Sequence, residues 1–251
     1  MSKIVSVHSF RGGTGKSNTT ACLTALLAAG GRRVGVVDTD ILSPGIHVLF
    51  GFDEDSAVYT LNDYLWGRCD ITDVAVSVGD RLPTKLLGEI FLIPASIRPG
   101  EITRILREGY DVGLLNDGFR QLINDLRLDV LLIDTHPGLN EETLLSVAIS
   151  DSLVLIMRPD AQDYQGTAVT VDVARKLEVP NLFVVVNKVP STLDPVALRQ
   201  QIEQTYECEV AGIIPHADEM MILGSSDIFV LRFPDHPVTA VYRRIAERIT
   251  D

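Results

Sequence analysis

Six consecutive residues near the start of the chain, Gly12-Gly13-Thr14-Gly15-Lys16-Ser17, have the composition needed to hold a chain of phosphates. Small residues let successive backbone N–H groups turn inward around anionic oxygens, and a helix opening directly after them aims the positive end of its dipole at the same point. Lys16 adds a point charge for the outer phosphates, Ser17 a hydroxyl suited to Mg²⁺, and Asn18 follows in the same turn. The apolar run Ile4-Val5-Ser6-Val7 before the loop reads as a strand, and the Ala/Leu-rich stretch after it reads as a helix. This is the setting in which such a loop works, and it predicts binding of a nucleoside triphosphate. The generic pattern begins on a further glycine, but Phe10 occupies that position and Arg11 precedes the glycine pair.

Further along, Val36-Val37-Asp38-Thr39-Asp40 ends an apolar run on two carboxylates. Ligands gather at the carboxyl ends of parallel strands. Side chains two apart in an extended segment point the same way, so Asp38 and Asp40 are expected to face the phosphate cavity together. A turn-capping role is the alternative for each. Leu131-Leu132-Ile133-Asp134 ends a second apolar run on a carboxylate and leads into Thr135-His136-Pro137-Gly138, where His136 reads first as a spectator of the loop, with titration or a partner contact as the alternatives. Val184-Val185-Val186-Asn187 ends a third on an amide, which offers both a donor and an acceptor to a purine edge. Val189 and Pro190 stand where a guanine-reading motif would carry its Asp, so Asn187 favours adenine.

The elements that must position these groups are legible as β-branched runs alternating with segments of helical period. Strands are expected at Ile4–Val7, Arg33–Val37, Ile90–Ile93, Val130–Ile133, Leu153–Met157, Leu182–Val186 and Val210–Ile214. Helices are expected at Lys16–Ala29, Leu114–Leu126, Glu141–Ile149, Tyr164–Leu177, Pro195–Tyr206 and Pro237–Ile249. Continuous Val/Ile/Leu strands suit burial on both sides, so the expected fold is α/β: a doubly wound, mostly parallel sheet with helices on both faces. The span from Asp53 to Leu87 has the weakest period and is expected to be irregular surface. The first helix is apolar almost all round and is expected to be buried. In the last, Val238, Val241, Ile245 and Ile249 share a face that is expected to dock on the sheet.

With 251 residues, one domain spanning residues 1–251 is the expectation. The opening strand has no leader ahead of it and no apolar run reaches bilayer length, so a cytoplasmic protein is expected. Cys22, Cys69 and Cys208 are odd in number and scattered, which argues against a disulfide framework or a shared metal site. A formal net charge of −12 opposes unassisted binding to DNA or to an anionic membrane. Arg232, Arg243, Arg244 and Arg248 form a local basic cluster that reads first as a solvated helix face, with DNA contact as the alternative.

A basic residue followed by Gly-Gly-x-Gly-Lys-Ser/Thr resembles the phosphate loop of the MinD/ParA family of dimerising ATPases, in which the basic residue is ordinarily Lys. Here it is Arg11. The acidic and base-side segments follow in the family's order, so the resemblance covers essentially the whole chain. It implies ATP and Mg²⁺, with Ser17, Asp38 and Asp134 in the metal's surroundings. It further implies that Asp40 orients or deprotonates the attacking water, that Lys16 acts on the phosphates, that the Gly138 backbone contacts the γ-phosphate, and that Pro215 packs on adenine. The family's signature lysine reaches across an ATP-driven homodimer. Arg11 keeps that charge on a planar, bidentate group. It would either touch the partner's phosphates, or pair with a carboxylate of its own chain, or leave dimerisation to other residues. The implied activity is a slow, partner-stimulated ATPase that positions or partitions a cellular component through a protein activator or cargo adaptor. Ending at Asp251 without an amphipathic tail argues against direct membrane anchoring. A metallocentre-assembly ATPase of related fold, a regulatory nucleotide-binding protein with little hydrolysis, and a tyrosine kinase on a P-loop core are the alternatives. The first lacks its cysteine pair, and the last lacks a tyrosine-rich tail.

Overall fold

The computed structural model describes residues 2–53 and 57–250. In chain order, β1 (Lys3–His8) leads through the glycine loop into α1 (Lys16–Ala29) and β2 (Arg33–Asp38). Short elements follow: α2 (Ile46–Leu49), α3 (Leu61–Leu65), α4 (Ile71–Val74) and β3 (Val76–Ser77). Then come β4 (Glu89–Ile93), α5 (Pro99–Glu108), α6 (Gly113–Asp125), β5 (Val130–Asp134), α7 (Glu141–Ala148) and β6 (Ser152–Met157). The remainder is α8 (Ala161–Lys176), β7 (Asn181–Val189), α9 (Pro195–Tyr206), β8 (Glu209–Pro215), α10 (Asp218–Leu223), α11 (Phe229–Arg232) and α12 (Pro237–Arg248).

The eight strands form one sheet in the order β3-β4-β2-β5-β1-β6-β7-β8. Every pairing is parallel except β3 with β4. Alternating side chains divide the apolar residues between two faces. Val5, Val7, Val34, Val36, Val154 and Ile156 pack with α1, α11 and α12. On the other face Val37, Leu131 and Ile133 meet α3 to α6, while Leu153, Leu155, Val184 and Val186 meet α8 and α9. α1 is buried on nearly all sides, as its composition requires. α12 buries Val238, Tyr242, Ile245 and Ile249 and turns Arg243, Arg244, Glu247 and Arg248 outward.

The seven strands and six helices expected from periodicity are present within a few residues of the expected ends. The span from Asp53 to Leu87 differs. Residues 54–56 lie outside the described part, but α3 and α4 are short helices whose Leu61, Leu65, Ile71 and Val74 are buried in a core cluster. Elements of one turn never complete a hydrophobic period, so the pattern could not show them. α5 was likewise not expected. Ile102, Ile105 and Leu106 recur at helical spacing in it, but only Ile105 is buried.

Candidate nucleotide site

Register in the sheet decides which strand-end residues meet. β5 lies between β1 and β2, with Val7 opposite Asp134 on one side and Asp38 opposite Asp134 on the other. α1 starts directly above, with Gly15 as its N-cap at φ +97, where an L side chain is strained. A Cβ on Gly15 would also run into the Asn187 amide. The first side chain of the helix, Lys16, is buried and donates from Nζ to Asp134 Oδ1 at 2.8 Å, and Thr20 Oγ1 donates to the same oxygen at 3.0 Å. Ser17 and Asn18 line a cleft of about 390 Å³ with Gly12, Gly13, Lys16, Asp40, Ser43 and Pro137.

Asp38 and Asp40 do not point the same way. The strand ends at Asp38, and the next residues fold into a turn that Asp38 itself organises. Its Oδ1 accepts from the Asp40 N–H at 3.0 Å, and its Oδ2 from Gly45 N–H at 2.9 Å and Ile46 N–H at 3.3 Å. Burial, and then the charge of Asp134, push the Asp38 carboxyl up to about 7. Asp40 faces the cleft. Its Oδ1 accepts from Ser43 N–H at 3.2 Å, Ser43 Oγ at 2.9 Å and His136 Nδ1 at 2.6 Å, so His136 is bonded to the residue expected to handle water and is no spectator. Pro137 follows it, and Gly138 donates its N–H to Ser9 O at 3.2 Å. A γ-phosphate contact from Gly138 requires that bond to be exchanged.

Beneath this loop, Thr135 Oγ1 donates to Val7 O at 3.1 Å, so it must accept from His8 Nδ1 at 2.7 Å. His8 Nε2 is buried and has no hydrogen-bond partner among the described residues. Burial, with Lys16 nearby, lowers the His8 pKa to about 3. On the far side of His136 lies a cavity of about 340 Å³ lined by Thr39, Leu42, Tyr110, Asn140 and Glu142 among others.

No group of three or more His, Cys, Asp or Glu side chains among the described residues is arranged to hold a metal ion alone. That suits Mg²⁺, which keeps several waters and binds through one or two protein groups plus phosphate oxygens. The residues fit such an ion: Ser17 lines the cleft, and Lys16 is hydrogen-bonded to Asp134 with the Asp38 carboxyl close enough to feel both charges.

Gly15, Asn18 and Ser225 also border a second cavity of about 270 Å³, lined by Asn187, Lys188, Pro215, His216, Met220 and Met221. Asn18 Nδ2 donates to Ser225 Oγ at 3.1 Å across the join. Asn187 Nδ2 donates to Thr14 O at 2.8 Å, and its Oδ1 accepts from Lys188 N–H at 2.8 Å. Lys188 Nζ donates to Gly13 O at 2.8 Å. β7 therefore ties the phosphate loop from its base side.

Arg11 pairs within its own chain, with Asp163 at 3.3 Å and the α8 N-cap Asp160 at 3.5 Å. Its side chain stays 38% exposed, and Arg158 shares Asp163 with it. Phe10 lies against Gly166 one turn further along α8, where any Cβ would collide with its ring. The first two residues of the loop are thus both fastened to α8. Of the basic cluster, Arg248 forms a two-bond pair with Glu209 at 2.8 Å, and Arg243 bonds Pro234 O at 2.8 Å.

Residues 5–228 match the CobQ/CobB/MinD/ParA nucleotide binding domain family. The chain belongs to that family. Within it, the septum site-determining protein MinD of Bacillus subtilis is 26% identical over 258 residues, covering 99% of this chain and 89% of that protein. An iron-sulfur cluster carrier protein of Methanococcus maripaludis is 31% identical over 196 residues, covering 74% of this chain and 61% of that one. The septum site-determining protein MinD of Pyrococcus horikoshii, solved with Mg-ADP, superposes with a TM-score of 0.80 over 99% of this chain and 96% of that one. At 20% identity the last likeness shows the shared fold. Membership in the family does not single out His8, Ser43, His136 or Lys188. Of these, only His136 carried a sequence signal, as a polar residue beside the acidic strand end.

Proposed function

We propose that this protein is a Mg-ATP-dependent switch ATPase of the MinD/ParA type, whose ATP-bound form is a symmetric dimer that engages a protein partner or surface to position a cellular component. The observation that carries the reading is one continuous cleft in which the glycine loop, Lys16, Asp134 and Asp40 adjoin a base-sized cavity at Asn187 and Pro215. Lys16, released from Asp134, would meet the outer phosphates, and Ser17 and Asp134 would hold Mg²⁺, which would neutralise phosphate charge. Asp40 receives the attacking water. Asn187 and Pro215 take the adenine. Arg11 exchanges its pairs with Asp160 and Asp163 for phosphate oxygens across the dimer, a trade its exposed guanidinium permits.

Calorimetry with Mg·ATP, followed by sedimentation with a non-hydrolysable analogue and with ADP, tests this. Binding with a dimer on the analogue alone is expected. Absence of binding overturns the reading, whereas binding without a dimer removes only the switch. No helix among the described residues is long and apolar enough to cross a membrane. Liposome and DNA cosedimentation separate the two candidate surfaces.

The iron-sulfur carrier likeness favours a second reading, a metallocentre-assembly ATPase. Against it, Cys22 is buried, and Cys69 and Cys208 pack beside different core clusters. Stoichiometric iron and sulfide after anaerobic reconstitution would favour it over the switch.

A further inference from the structure

We propose that His136 is a positioning residue that fixes the Asp40 carboxylate for attack on the γ-phosphate. The inference rests on the ATPase reading above and adds to it a group outside the phosphate loop and the acidic strand ends.

A carboxylate oxygen only accepts, so the 2.6 Å contact between His136 Nδ1 and Asp40 Oδ1 is an N–H donation from the ring. The same Oδ1 takes both donors of Ser43, which places three hydrogen bonds on one oxygen. Oδ2 accepts none among the described residues, and Asp40 lines the phosphate cleft. The carboxylate is thus held by one atom and offered by the other. In hydrolysis a water oxygen bonds to the γ-phosphorus, and the bridging β–γ P–O bond breaks with its electron pair on ADP. The water proton is taken up at Oδ2 and then passes to solvent. Rotation of Asp40 about its side chain would misplace Oδ2, and misplacement of about an ångström costs on the order of a hundredfold in rate.

The loop that carries the ring is itself held. Thr135 N–H donates to Val7 O at 3.2 Å, Gly138 N–H to Ser9 O at 3.2 Å, and Thr143 Oγ1 to His136 O at 3.2 Å. Central strand β1 and the first turn of α7 therefore fix the backbone on both sides of His136. The neighbouring Pro137 limits the loop further. A ring mounted on the loop after β5 thereby sets the orientation of a carboxylate mounted on the loop after β2.

The test is steady-state ATPase kinetics with ATP affinity measured in parallel. His136→Ala is expected to lower kcat at least tenfold while ATP Kd stays within twofold. His136→Asn is expected to restore most of the rate, because its amide nitrogen falls where Nδ1 lies. In an Asp40→Ala background, His136→Ala should add no further loss. A downfield Nδ1–H resonance of His136, absent in Asp40→Ala, should report the bond directly. Wild-type kcat in His136→Ala, with Asp40→Ala impaired, overturns the proposal and leaves the ATPase reading standing. Unimpaired turnover in Asp40→Ala instead overturns the role given to Asp40, and the proposal with it. Should His136→Ala not fold, His136→Gln keeps the bulk but carries its amide past Nδ1, and is expected to show the same kcat loss; wild-type kcat there has the same overturning force.

Discussion

The two ends of the cleft differ in how far their polar groups are withdrawn from water. At the phosphate end, Lys16 and Thr20 bonded to Asp134 form one polar group, Asp38, Asp40 and His136 form a second beside it, and these residues are largely withdrawn from water. At the base end the lining is an amide, a proline, two thioethers and main-chain atoms, with Lys188 and His216 beside them, and Met221 on the rim is 68% exposed. Charges in a low-dielectric site act strongly and tolerate little misplacement, whereas exposed groups such as Lys188, His216 and Met221 act weakly and adapt. The comparison therefore assigns turnover to the first end and affinity and base choice to the second.

Lys16→Ala should break the comparison most violently. It removes the cation hydrogen-bonded to Asp134, and loss of a buried, charge-paired partner costs about 3–5 kcal/mol. Mg·ATP binding should weaken by more than about a hundredfold in calorimetry. Retained affinity would show that the loop amides alone suffice.

His8 probes the support under the phosphate end. Its folded pKa lies at about 3, below the ordinary 6.5, so the unfolded chain binds more protons as pH falls through that window. Stability from this group is present above pH 6.5 and is lost toward pH 3. His8→Asn, which keeps a donor for Thr135, should remove on the order of 3 kcal/mol of the difference in unfolding free energy between about pH 7 and about pH 4. Denaturant titrations at both pH values measure it, and an unchanged slope would place the acid sensitivity elsewhere.

Asn187→Ala tests the base end. Losing its bond to Thr14 and its purine contact should raise ATP Kd about tenfold, with kcat changed less than threefold and discrimination against GTP reduced. A large kcat loss would move Asn187 into the phosphate network through Gly15. Met221→Ala should do least, about twofold to threefold in Kd, because an exposed thioether surrenders little area from water. A larger effect would mean that α10 closes over the base.

Phosphate loop, both acidic strand ends and the amide of β7 were all readable, because each lies at the end of a β-branched run whose period names the strand. The direction of Asp38 was not. Its expected orientation assumed that the strand continued to Asp40, and the turn begins two residues earlier, drawn in by the Asp38 carboxyl itself. His136 was discounted for a related reason. Its partner is 96 positions away, and nothing local in Thr135-His136-Pro137 marks a bond to another loop. Arg11 remained open among three readings, and the pairing with Asp160 and Asp163 links it to a helix about 150 residues distant. The short helices α3 and α4 escaped notice since neither spans two turns.

By itself the sequence determined the class of fold, the order of the elements and the chemistry of each strand end, because periodicity and local motifs are properties of neighbouring residues. Only the tertiary structure decided which strand ends meet. The order β2-β5-β1 sets Asp38 and Asp134 side by side beneath Lys16, and the loops after β2 and β5 bring Asp40 to His136. Strand order and register are set by packing of the whole sheet against its helices, and no window of the chain contains that information.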